Sequence, residues 1–133
     1  MRRLQAIPGV HVVGEVPDVR PYLAGATVYV APLRAGGGTR LKILEAMAMG
    51  KAIVSTPMGC DGLAVADGEH VWLADGEAFA AAMIALARDP SQRRALGEAA
   101  RRLAVARYDW EQTLAPLETL YRTEILRHVP RRE

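Results

Sequence analysis

The sequence predicts an α/β domain, a parallel sheet of about four strands with flanking helices. Three observations predict it: short β-branched runs of strand length, helical periodicity between and after them, and glycine-rich turns at strand ends. Val10-His11-Val12-Val13 reads as the first strand, and Asp18 as the cap of a brief helix that tolerates Pro21 in its first turn. Thr27 to Ala31 is a β-branched and aromatic run that Pro32 ends. Thr39 stands where an N-cap is needed, and Leu41, Leu44 and Ala48 then recur at helical spacing, with Ile43 and Met47 beside them, until Gly50 supplies a stop. Ala52 to Ser55 is the next strand. Val71-Trp72-Leu73 is the last, between Asp67-Gly68 and Asp75-Gly76 turns.

The remainder is helical. Glu77 to Arg88 ends before Asp89-Pro90, Ser91 caps a second helix to about Ala106, and Asp109 caps a third whose Pro116 removes one backbone bond and is expected to kink it. Leu117, Leu120 and Tyr121 read either as core or as a docking stripe, and Trp72 and Trp110 as core or interface residues.

Composition narrows the function classes. With 133 residues and half of them apolar, one domain with one core is expected. The 17 basic and 15 acidic residues leave a net charge of +2, no basic stripe, and only 5% of the chain is aromatic, so nucleic acid is not an expected partner. No apolar run reaches the length of a membrane span and the N-terminus lacks the apolar core of a signal peptide, which makes the cytoplasm the expected compartment. Cys60 is the single cysteine and has no internal disulfide partner; a loop cysteine without a nearby base reads as structural. His11, His70 and His128 show no metal-ligand spacing.

The chemistry concentrates in Pro32 to Gly50, where a strand end, three glycines and a helix start follow one another. Gly36, Gly37 and Gly38 let the backbone approach whatever sits above the strand end, and the free amides and positive dipole end of the helix favour an anion there. The P-loop string is absent, and Leu41 stands where the dinucleotide fingerprint needs a small residue, so the loop is neither of these. On a helical wheel, Leu41, Ile43, Leu44, Met47 and Ala48 form one arc, and Lys42, Glu45 and Met49 the other. A carboxylate one turn behind a phosphate site suits the vicinal hydroxyls of a ribose; equally, Lys42 and Glu45 read as a solvated i,i+3 pair.

These residues carry a resemblance. Gly9 to Leu120 is similar to the C-terminal, nucleotide-sugar-binding domain of family 4 glycosyltransferases, retaining enzymes of the two-domain GT-B fold. The matching pieces are Val13-Gly14-Glu15-Val16-Pro17-Asp18, Tyr22-Leu23, Gly25-Ala26, Val30-Ala31-Pro32, Leu44-Glu45-Ala46-Met47-Ala48, Gly50, Ile53-Val54-Ser55-Thr56, Asp61-Gly62-Leu63, Tyr108, Trp110-Glu111 and Leu120-Tyr121. The resemblance implies a partial Rossmann-like sheet, a donor such as a UDP-, GDP- or ADP-sugar, no further cofactor, and transfer of a hexose with retention.

In this family two glutamates separated by seven residues bracket the loop and helix. The second corresponds to Glu45 and holds the donor ribose; the first, which contacts the transferred sugar, falls at Gly37. The implied donor site is thus Gly36, Gly37, Gly38, Thr39, Arg40, Lys42 and Glu45; Arg40 and Lys42, which their i,i+2 spacing points to different sides of the helix, read either as charge toward the diphosphate or as solvated side chains at a helix start. Asp61, on the loop Thr56 to Gly62 that forms the neighbouring wall, reads as a donor contact or as a turn residue.

The resemblance also implies an N-terminally truncated domain over residues 1–127, then a frayed tail over 128–133, with an opening strand, helix and strand and the whole acceptor domain missing. The isolated chain is then expected to transfer no sugar, to need an acceptor domain or partner chain, and to be prone to self-association through an exposed sheet edge. A binding module without catalysis and a ligand-free remnant stay open as alternatives.

Overall fold

The apolar runs and turn signals assemble as three parallel strands, β1 (Tyr29–Ala31), β2 (Ile53–Ser55) and β3 (Trp72–Leu73), in the order β1-β2-β3. The structure is a computed structural model that describes residues 2–125, so the expected tail lies outside the described residues. The register pairs Tyr29 with Ile53 and Ala31 with Ser55 on one side, and Val54 with Trp72 on the other.

The α/β class is as expected, with three strands where about four were expected. Residues 10–13 are unpaired, and Val10 and Val13 remain 38% and 55% exposed. A strand that buries neither face has no apolar contact to offset the entropy of ordering it.

Adjacent residues of β2 show how the layers form. Ile53 and Val54 point to opposite faces of the sheet and both are fully buried. On one face Ile53 joins Ala31, Ile43, Ala46, Met47, Ala100 and Ala104. On the other, Val54 joins Ala52, Ala82, Leu86 and Leu96. Helix α3 (Leu41–Ala48) covers the first face, α4 (Gly76–Arg88) the second, and α5 (Pro90–Tyr108) packs against both helices. A four-residue helix, α1 (Arg2–Gln5), and α2 (Arg20–Gly25) precede the sheet, and α6 (Trp110–Leu120) closes the order, followed by a wide π turn at Tyr121–Ile125.

Capping accounts for the helix boundaries. Asp75 accepts from Gly76 N at the start of α4. At α5 the cap is Asp89 and not the expected Ser91: its Oδ1 accepts from Ser91 N, Gln92 N and the Ser91 hydroxyl. The bonds from Gln92 and Ser91 hold the Asp89 carboxyl below the usual carboxylate range. Asp89 wins because Pro90 enters as the first helical residue and leaves the preceding residue extended. Arg93 Nη1 then reaches back to Leu86 O at 2.6 Å and closes α4. Asp18 lies one residue before the N-cap position of α2, held by Val19, and its Oδ1 accepts from Arg20 N.

Helix α3 ends on a Schellman motif, with Gly50 N on Met47 O at 2.9 Å and Lys51 N on Ala46 O at 3.0 Å, which requires the positive φ of +65° at Gly50. Arg101 Nη1 and the Lys51 ammonium cap other carbonyls nearby, at Ala48 O and Ala24 O.

The surface is incompletely covered. On β1, Tyr29 N donates to Ala52 O and Ala31 O accepts from Thr56 N, so the Val30 peptide groups face the opposite, unpaired edge. Helix α6 runs through Pro116 and buries none of its residues. Trp110, Leu114, Leu117, Leu120 and Tyr121 are each 45–74% exposed, so the core reading of Trp110 and of Leu117, Leu120 and Tyr121 does not hold among the described residues.

Candidate functional site

The carboxyl ends of β1 and β2 lie side by side, and the glycine loop leaves from the first of them. Two hydroxyls of the second hold that exit in place. Thr56 Oγ1 donates to Leu33 O at 2.6 Å and accepts from Gly59 N, while Ser55 Oγ lies 3.4 Å from Ala31 O. These positioning roles were not legible in advance, although a Ser-Thr pair at a strand end is the available signal. Tyr108, from the far end of α5, accepts from Ala64 N at 2.6 Å and ties down the segment after Asp61-Gly62.

Beyond Leu33 the loop is open. Residues 34–39 are exposed, and Gly36 and Gly38 take φ values of +135° and +88°. These two positions therefore require glycine. Gly37 has an ordinary φ and open space where a side chain would begin, so the backbone does not impose the absence of a glutamate there.

The start of α3 differs from expectation. Its N-cap is Arg40, not Thr39, and no side chain caps it. Arg40 turns inward to 7% exposure and its carbonyl takes the Ile43 and Leu44 amides, which moves the helix start past Thr39. As a result none of the six amides from Gly37 to Lys42 has an acceptor among the described residues.

The buried face of α3 is also turned from the expected arc. Ile43, Ala46 and Met47 are fully buried, whereas Ala48 is exposed and Leu41 is 61% exposed. The rotation follows from the close approach of Gly50 to Gly97 of α5, which draws that side of the helix inward.

Lys42 and Glu45 are both exposed, and neither side chain forms an ion pair or hydrogen bond with a described residue. The solvated-pair reading therefore has no contact to rest on. Burial and, second, the Glu45 charge push the Tyr29 phenol upward.

Gly62 (φ +81°) and the bond from Leu63 N to Cys60 O place Asp61 in a tight turn. Burial pushes the Cys60 thiol up, against a hydrogen bond to Ser55 and the charge of Arg40, which fits a structural cysteine. The structure thus brings Gly36 to Arg40 together at the sheet rim, with Lys42 and Glu45 on the outer side of the same helix. Two surface hollows lie away from it, about 190 Å³ beside Val13 and Tyr22 and about 420 Å³ beside Arg101 and Val105.

An open parallel α/β sheet with a glycine turn and an uncapped helix at its carboxyl rim defines a class of protein whose ligand crevice lies outside the strand ends. Within that class, this chain belongs to the family described as glycosyl transferases group 1, whose profile matches residues 1–89. It corresponds to part of the C-terminal domain of a GT-B glycosyltransferase.

Among curated relatives, a lipopolysaccharide core biosynthesis mannosyltransferase of Rhizobium leguminosarum bv. viciae is 35% identical over 111 residues, 81% of this chain and 31% of the relative. A D-inositol 3-phosphate glycosyltransferase of Corynebacterium urealyticum is 43% identical over 86 residues, 62% of this chain and 20% of the relative. A phosphatidyl-myo-inositol mannosyltransferase of Mycolicibacterium smegmatis is 34% identical over 115 residues, 83% of this chain and 30% of the relative. The chain spans less than a third of the length of each.

Proposed function

We propose that this chain is the donor-binding portion of a retaining, family 4-like glycosyltransferase. The observation that carries the reading is the run of six acceptor-free amides, Gly37 to Lys42, at the uncapped N-terminus of α3. They suit the diphosphate of a UDP-, GDP- or ADP-sugar. Gly36, Gly37, Gly38, Thr39 and Arg40 cradle it, Lys42 adds charge, and Glu45 accepts from the ribose hydroxyls. Catalysis in this reading is electrostatic: the rim stabilises negative charge on the departing nucleoside diphosphate while the sugar gains oxocarbenium character. Two of the relatives are named mannosyltransferases, so a mannosyl donor is the first hexose to test. A single cysteine, with no disulfide, fits the cytoplasm as its compartment.

The test is a thermal-shift panel of UDP, GDP, ADP and their common sugars. One nucleotide is expected to raise Tm by mass action, about 2.7 kcal/mol of apparent stability at a hundredfold excess over its Kd. No shift with any member at millimolar concentration would leave a ligand-free remnant as the better account.

A second reading, dependence on a partner, is favoured by the open β1 edge and the uncovered surface. We expect light scattering over a concentration series to show association, and a positive charge at the edge, Val30→Lys, to reduce it. A monomer at all concentrations would count against this reading.

A further inference from the structure

Arg40 is an anomaly in an otherwise open loop. It is 7% exposed, while residues 34–39 and Leu41 and Lys42 around it are exposed. Its guanidinium makes one long contact, Nη2 to Gly36 O at 3.4 Å, and its buried Nε has no partner. No carboxylate among the described residues lies within ion-pair distance of it. The neighbouring group that senses its charge is the Cys60 thiol, which burial keeps protonated and therefore neutral.

A guanidinium keeps its charge in a protein interior, so this cation is desolvated without a counter-ion. The hydrogen bond to Gly36 sets it directly under the three-glycine turn, at the end of α3 where the amides also lack acceptors. Two glycines with positive φ give that turn the freedom to re-form around a guest.

We propose that Arg40 is a counter-charge stored for an oxyanion: a phosphoryl group takes the Nε and Nη donors as a fork in exchange for the weak Gly36 contact, and this pairing, not the base or the sugar, dominates recognition at the rim. The proposal rests on the reading of the loop as a donor site, and it assigns the specificity for phosphate to one side chain. It also makes a prediction that a structural arginine would not satisfy. Removing an uncompensated buried charge relieves the ligand-free protein, so loss of binding comes with no loss of stability.

The experiment is a thermal-shift titration at low ionic strength with inorganic pyrophosphate, with UDP, GDP and ADP, and with the uncharged nucleosides, on the wild type, Arg40→Met and Arg40→Lys. Pyrophosphate alone is expected to stabilise the wild type and the nucleosides to do nothing. Arg40→Met is expected to melt at or above the wild-type temperature without ligand and to lose at least tenfold in pyrophosphate affinity. Arg40→Lys, which keeps the charge but not the fork, is expected to recover only part of it.

The proposal is overturned if pyrophosphate leaves the wild type unmoved, if Arg40→Met binds it as tightly as the wild type, or if Arg40→Met melts several degrees lower without ligand, the mark of a structural arginine. Nucleotide binding that persists in Arg40→Met overturns the proposal and leaves the donor-site reading intact. Arg40-dependent pyrophosphate binding that no nucleotide matches does the reverse.

Discussion

Gly97→Ala is expected to lower Tm by on the order of 10 °C, an effect of roughly 3 kcal/mol in a chain of this size. In an exposed helix the same change gains about 1 kcal/mol, because alanine is the better helix former. Here a Cβ at Gly97 would lie 2.1 Å from the Gly50 carbonyl oxygen and 2.9 Å from its carbon. That carbonyl cannot swing aside, since Gly50 N and Lys51 N are both committed to the Schellman bonds that end α3. Relief therefore has to come from separating α5 from α3, which opens the core around Ile43, Met47 and Ala100. Gly37→Ala is the control: nothing lies within 4 Å of its Cβ position and its φ is ordinary, so its melting point should stay within about 2 °C of wild type. Calorimetric melts of the three proteins decide it. A Gly97→Ala variant as stable as the wild type would mean that the two helices do not approach through their glycines.

Glu45→Ala is expected to weaken binding of the nucleoside diphosphate by about 5- to 150-fold, the ~1–3 kcal/mol that goes with losing hydrogen bonds to a charged acceptor. Its stability should be nearly unchanged, because the side chain is exposed and holds no described partner. A cycle with the ribose makes the test specific. The 2′-deoxynucleotide should bind the wild type less tightly than the ribonucleotide, and that preference should shrink in Glu45→Ala if the carboxylate is what reads the hydroxyl. Titration calorimetry with the nucleotide selected by the thermal panel supplies all four values. Equal affinities for wild type and variant would take Glu45 out of the site.

Most local devices were legible. Gly50 as the stop of α3, Pro21 within the first turn of α2 and the Asp67-Gly68 turn are set by the φ range and hydrogen-bonding reach of single residues, and these operate before any packing. Where two local signals competed, reading was less secure: Ser91 and Asp89 both fit an N-cap, and the proline between them settled it for Asp89.

The sequence by itself determined the α/β class, the order of elements from Thr27 onward, the glycine turn at the carboxyl end of β1, and the exposure of Glu45. Spacing and turn chemistry suffice for these. Only the tertiary structure decided which side of α3 is buried, because a wheel marks an apolar arc but the contact between Gly50 and Gly97 sets its centre, leaving Leu41 outside. It also decided that Val10 to Val13 form no strand, that Trp110 faces solvent, and that Arg40 alone among the loop residues is buried without a counter-ion. Each of these depends on a surface contributed from elsewhere in the chain, or on the lack of one, and neither propensity nor periodicity encodes what stands on the other side of a contact.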